Sequence, residues 1–268
     1  MFKKNKTVLA LAVIILTLLS CAHCQQYTNV KNMLPRESFM HLYKTLKVKS
    51  CNEGHCISLD FKSSASGFVV SKQKDGAFIL TAAHFCEDSL PSYRKEDIIV
   101  SSTYKVKSLY GNEYGGIVLD YKQDIDICLM FVEGVTTDVK EIELASEPPE
   151  PGDKIYNVGA PLSIFGPNMV PILEGRFNGN IEKKAFYSLP AAPGSSGSMI
   201  INDKGDLVGM VQAVYIRFNT ISISITYEDL KNYIDVKVNK YISYKNSMKE
   251  LGLKNIFTLE KKKNCNCD

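Results

Sequence analysis

Among the side chains of this 268-residue sequence, those with the clearest chemical potential lie between Tyr187 and Asn202. The stretch YSLPAAPGSSGSMIIN holds Ser188, Ser195, Ser196 and Ser198, the last three within GSSGS. A serine hydroxyl is a weak nucleophile at neutral pH. It attacks a carbonyl only when a neighbouring base takes its proton, and that base needs a third group to fix its tautomer. Read alone, GSSGS is as consistent with a surface linker. The apolar Met199–Ile201 directly after it makes it instead a tight loop entering a strand.

The base has four candidates. His23 falls in the leader, His41 in a predicted helix, and His55 in the short NEGH loop between Cys51 and Cys56. His84 ends an apolar run in AFILTAAHFCED, at the mouth of a predicted strand. The orienting carboxylate is Asp126 in DIDICLMFV, with Asp124 as competitor. Asp126 is preferred because it leads directly into a strand that can hold it. The order is therefore His84, Asp126, Ser196. An α/β-hydrolase places its serine first, in a Gly-x-Ser-x-Gly elbow; here Ser198 stands where the second glycine would be.

The elements that must position these groups are mostly strands. CISLDFK alternates apolar and polar residues, and SGFVVS, AFILT, DIIVSS, YKVKSLY, GGIVLDY and DICLMFV follow. EPPEPGD breaks the pattern, after which KIYNVG, VPILEGRF, GSMII, DLVGMVQAVYI and TISISI resume it. Many short strands at close spacing imply an all-β chain of closed barrels or sandwiches, and the break near the middle implies two such units. Helices flank the β region. RESFMHLYKTL is predicted as a short one. TYEDLKNYIDVKVNKYI is predicted as a longer one, with Thr226 as cap and Leu230, Ile234, Val238 and Tyr241 on its apolar stripe.

ILTAAHFC resembles the histidine signature of the chymotrypsin-like (trypsin-fold) serine proteases. DIDICLM resembles their aspartate strand, and PGSSGSMI their nucleophile loop. SASGFVVS with GAFILTAAH resembles the opening of bacterial HtrA/Deg-type and glutamyl-endopeptidase-type members; VGAPLSIFGPN is similar to the segment before the nucleophile loop in the Deg branch, and GDLVGMVQAV to the strands after it. This similarity runs from about Gly67 to Thr226. It implies two six-stranded Greek-key barrels with a C-terminal helix, and an exported serine endopeptidase acting on protein or peptide substrates without a cofactor or metal. His84, Asp126 and Ser196 would form its triad, and the backbone N–H groups of Gly194 and Ser196 its oxyanion hole. Leu189, Pro190, Ala191, Ala192, Val211, Gln212, Ala213 and Thr220 would wall the substrate pocket. With no acidic group there, Lys or Arg is not expected at the cleavage site; a small or apolar side chain is. The alternatives are a catalytically silent member serving as a peptide-binding or surface module, and a small-ester hydrolase on the same barrels.

The expected organisation is a leader over 1–24, a lead segment over 25–50, a first barrel over 51–145, a second over 146–226, and C-terminal helices with a polar tail over 227–268. Lys3, Lys4 and Lys6 followed by the apolar run Thr7–Leu19 read as an export signal, too short for a full span. LLSC resembles a lipobox that would acylate Cys21. Simple cleavage, lipidation and an uncleaved membrane anchor stay open, placing the chain outside the cytoplasm, secreted, periplasmic or at the cell surface. Removing the three lysines takes the formal charge from +3 to zero, so no nucleic-acid partner is expected. The tail after residue 242 is short for a PDZ module, and a monomer is expected. Of eight cysteines, Cys51 and Cys56 are the expected disulfide, with a zinc site including His55 as the minor alternative. Cys128 is read as simply buried.

Overall fold

The computed structural model describes residues 34–52, 55–90, 94, 97–135, 137–215 and 218–250. The expected signal run, Cys21 and the end of the expected polar tail lie outside them. Among the described residues, twelve strands build two closed antiparallel barrels. The first uses β1 (Phe39–Asn52), β2 (His55–Gln73), β3 (Gly76–Thr81), β4 (Ile98–Ser108), β5 (Glu113–Lys122) and β6 (Ile127–Glu133). The second uses β7 (Lys154–Val158), β8 (Ile172–Ile181), β9 (Lys184–Ser188), β10 (Met199–Asn202), β11 (Leu207–Tyr215) and β12 (Phe218–Ile225). The orders β1-β2-β3-β6-β5-β4 and β10-β11-β12-β9-β8-β7 are Greek-key closures, which leave no free sheet edge.

The register of β3 against β6 does the positioning. β3 is buried throughout, and β6 over all but its last residue, as their unbroken apolar sequences require. Gly76 pairs with Glu133 and Thr81 with Cys128. The chain leaving β3 and the chain entering β6 therefore meet at one end of the barrel, where His84 and Asp126 lie.

The predicted helix over RESFMHLYKTL keeps only a 3₁₀ turn at Arg36–Ser38; from Phe39 the chain is strand β1, paired with β2 and β4. The chain thus enters the first barrel at Phe39, ahead of the expected start at residue 51. The inward row of β1 is Leu42, Lys44, Leu46 and Val48, all buried. Lys44 interrupts that row, so Leu42 and Leu46 alone read like a helical i, i+4 pair. The lysine is tolerated because its ammonium meets Asp88 at 2.9 Å.

The C-terminal helix forms as expected. Thr226 caps it by accepting the Asp229 N–H at 3.2 Å. It runs through α1 (Tyr227–Tyr233), a π segment (Ile234–Val238) and α2 (Asn239–Glu250). Leu230 and Val238 are buried, with Ile234 and Tyr241 packed beside them, in a core that includes Phe68 and Leu80 of the first barrel and Met199 and Met210 of the second. One continuous apolar cluster thus joins the two barrels.

His41 of β1 is also fully buried. Its ring lies 4.9 Å from that of Phe165 and 4.3 Å from that of Tyr43. Its Nε2 is buried without a partner. Burial, with Lys107 adding repulsion, pushes its pKa down to about 4. The unfolded chain, with a histidine near its ordinary pKa, then binds the proton more readily. Stability is unaffected above that value and falls as pH drops toward 4, by roughly 3 kcal/mol in full. Urea unfolding at pH 7 and pH 4 should show this loss in the wild type and not in His41→Phe. Equal pH slopes would remove His41 as its source.

Candidate active site

His84 sits on a four-residue helical turn, αN (Ala83–Cys86), directly after β3. Asp126 precedes β6 in a left-handed conformation with φ 46°. Their side chains meet: Asp126 Oδ2 accepts from His84 Nδ1 at 2.9 Å, and Oδ1 lies 3.1 Å from the same nitrogen. Oδ1 also accepts the backbone N–H of His84 at 3.0 Å. One carboxylate thus holds both the ring and the main chain of the histidine. The hydrogen bond to Asp126 raises the His84 pKa above the ordinary imidazole value; partial burial opposes this, and the charges of Asp126 and Glu87 add to it. Asp124, the competitor, is exposed and faces Lys122, Lys183 and Asp229 across a surface hollow.

The serine loop is tied to the first barrel through Ser66 of β2. The Ser66 N–H donates to the Ser196 carbonyl at 2.9 Å, and its hydroxyl donates to the Gly194 carbonyl at 2.8 Å. Gly197, at φ 80°, lies so close to the first barrel that a Cβ would come within 2.2 Å of the Ser66 carbonyl. From the other side, Gln212 of β11 sends its side-chain amide to the Ile125 and Asp126 carbonyls, the second at 3.4 Å. Its own carbonyl accepts from Ser196 Oγ at 3.5 Å. Gln212 therefore touches both the aspartate loop and the serine.

Two amides are left over. The Pro193 carbonyl accepts from the Leu162 N–H at 2.7 Å, and the Ser195 carbonyl from the Ser198 N–H at 2.9 Å. In a trans peptide the C=O and N–H point in opposite directions. The N–H groups of Gly194 and Ser196 are thereby turned away from those anchors, and neither donates to an acceptor among the described residues. Two free donors beside a serine can stabilise an oxyanion. Gly194 needs its lack of side chain here: its φ is 95°, and a Cβ would meet the Ala160 carbonyl at 2.6 Å.

Of the expected pocket residues, Pro190, Ala213 and Thr220 are exposed and Ala192 is half-buried. Leu189, Ala191 and Val211 are core residues of the second barrel. They are packed inside the barrel and have little surface to offer a ligand. Sequence reasoning gave no individual role to Ser66 or to Leu162, whose N–H donates to the Pro193 carbonyl of the serine loop. SASG and VGAPLSIFG carried only the general signal.

Two Greek-key barrels with a histidine–carboxylate pair on one and a glycine-flanked serine loop on the other define a trypsin-type architecture. The chain belongs to the trypsin-like peptidase domain family, whose sequence profile matches residues 65–210. It is also similar to the protein named "Putative serine protease HhoB" of Synechocystis sp., with 27% identity over 179 residues. That match covers 64% of this chain and 39% of the other protein.

The expected Cys51–Cys56 disulfide is present at the tip of the β1–β2 hairpin. It consumes the thiolates that a zinc site there would need. Cys128 is more than a buried thiol: it is bonded to Cys86.

Proposed function

We propose that this protein is an exported serine endopeptidase. Ser196 attacks the scissile carbonyl, and His84 takes its proton through Nε2 and returns it to the leaving amine. Asp126 holds Nδ1 protonated and stabilises the imidazolium, while the Gly194 and Ser196 N–H groups receive the oxyanion. The observation that carries this reading is the 2.9 Å His84–Asp126 bond at the barrel end facing the serine loop. Two disulfides support an oxidising compartment outside the cytoplasm. Protein or peptide chains acted on by a monomer are the substrates this reading implies.

One observation favours the silent peptide-binding alternative. Ser196 Oγ is directed at the Gln212 carbonyl, and no hydrogen bond joins it to His84 among the described residues. At 3.5 Å that contact is at the limit of a hydrogen bond, and a side-chain rotation on the ps–ns scale redirects it. A fluorophosphonate probe separates the readings: folded wild type is expected to label at Ser196, and failure to label leaves the silent protein. A peptide-library scan then distinguishes a peptidase from an esterase.

The raised His84 pKa fixes a pH dependence. The base works only when neutral, so the labelling rate is expected to fall as pH drops through a value above the ordinary 6.5 of histidine. An acid limb below 6.5 would show that the Asp126 bond does not hold in solution.

A further inference from the structure

The turn that carries His84 cannot hold itself. Four residues form barely one helical turn, which is unfavourable in isolation. Its N-cap, Ala82, supplies no side-chain cap. Outside contacts fix it. Phe85 packs edge-on against Tyr104 at 5.9 Å between ring centres. The Tyr104 hydroxyl donates to the Cys86 carbonyl at 2.7 Å. Cys86 itself is covalently joined to Cys128 of β6. On the other arm, Asp126 holds a left-handed backbone that persists only where the surroundings over-determine it.

The placement of that disulfide is specific. Cys86 lies two residues after His84, and Cys128 two residues after Asp126. The covalent pair and the hydrogen-bonded pair therefore close the same chain loop, each spanning 42 residues. That loop contains the whole of β4 and β5. Without the bond, all of it must be folded in place before the imidazole meets the carboxylate. With the bond, the two arms arrive already joined. The second disulfide provides the contrast: Cys51–Cys56 spans 5 residues, between exposed cysteines at the tip of a hairpin.

Resting on the serine-protease reading above, we propose that the Cys86–Cys128 disulfide is a positioning device for the His84–Asp126 pair. It keeps the carboxylate on Nδ1, and so keeps Nε2 free to take the serine proton. A dithiol reductant that reaches it opens the bond by two thiol–disulfide exchanges. Cys86 and Cys128 end as thiols, and the reductant ends as its cyclic disulfide. Attack is slow because Cys86 is 4% exposed and Cys128 0%.

The test compares wild type, Cys86→Ser/Cys128→Ser and Cys51→Ser/Cys56→Ser, each shown to be folded by circular dichroism. The readout is the fluorophosphonate labelling rate as a function of pH. The Cys86/Cys128 variant is expected to label at least tenfold more slowly. Its acid limb should also move down toward the ordinary histidine value, because Asp126 is held less firmly and Glu87 alone does not replace it; these are the charged groups facing His84. The Cys51/Cys56 variant should match wild type. A Cys86/Cys128 variant with lower melting temperature but unchanged rate and acid limb would overturn the proposal. Should that variant not fold, wild type is reduced with dithiothreitol in the cold while the low-field His84 Nδ1 proton is followed by NMR. Its loss is expected, and its persistence in a reduced, folded chain overturns the proposal. Wild type that never labels refutes the protease reading instead, and the NMR comparison still decides the positioning role.

Discussion

Ser196→Ala is expected to hydrolyse a peptide substrate roughly a million-fold more slowly than wild type, a loss of about 8 kcal/mol of transition-state stabilisation. No other hydroxyl in the loop can substitute. Ser195 is 1% exposed, and its Oγ accepts the Ala192 N–H at 3.3 Å. Ser198 is fully buried, and its Oγ accepts from Asn157 at 2.6 Å. Ser196 alone is half-buried with its hydroxyl free to turn. The residual rate in the alanine variant would come from the oxyanion donors and binding, which the substitution leaves in place. Ser195→Ala, which removes one neutral hydrogen bond worth about 1 kcal/mol, should stay within roughly tenfold of wild type. Steady-state hydrolysis and fluorophosphonate labelling of both variants check this. Labelling that survives in Ser196→Ala would assign the nucleophile elsewhere.

What the sequence disclosed depended on whether a signal was local. The two-barrel fold was legible because β3 and β6 are unbroken apolar runs and the turns between strands are polar. His84, Asp126 and Ser196 stood out because each lies at the mouth of such a run. β1 was misread because Lys44 occupies an inward position, and the Asp88 that neutralises it is distant in sequence. β9 is hidden because KAFYS is five residues long and its turn, at Glu182 with φ 53°, carries no glycine, while the turn-like Asn178–Gly179–Asn180 lies inside β8. The Cys86–Cys128 bond was unreadable for the same reason as the roles of Ser66 and Gln212. Each joins segments whose proximity follows from strand register and barrel closure, and no spacing rule encodes that. Only afterwards does the equal offset of each cysteine from its catalytic neighbour carry meaning.

Asp126→Asn should retain the fold and lose roughly 10⁴-fold in turnover. The three bonds the carboxylate makes decide this outcome. Oδ1 accepts the backbone N–H of His84 at 3.0 Å, and that donor cannot change its role. An asparagine must therefore keep its carbonyl oxygen toward the His84 main chain. Its NH₂ group then occupies the place of Oδ2, 2.9 Å from Nδ1. An NH₂ can only donate, so Nδ1 must accept, and the ring proton moves to Nε2. The histidine then presents a hydrogen to Ser196 where a lone pair is needed. The backbone anchor thus enforces the wrong tautomer here. Flipping the amide offers no escape, since it would set NH₂ against the main-chain N–H. Steady-state kinetics should show the fall in kcat with KM little changed, and ¹⁵N NMR of the imidazole should show the proton on Nε2 rather than Nδ1. Near-wild-type turnover in this variant would mean that the carboxylate is not what orients His84.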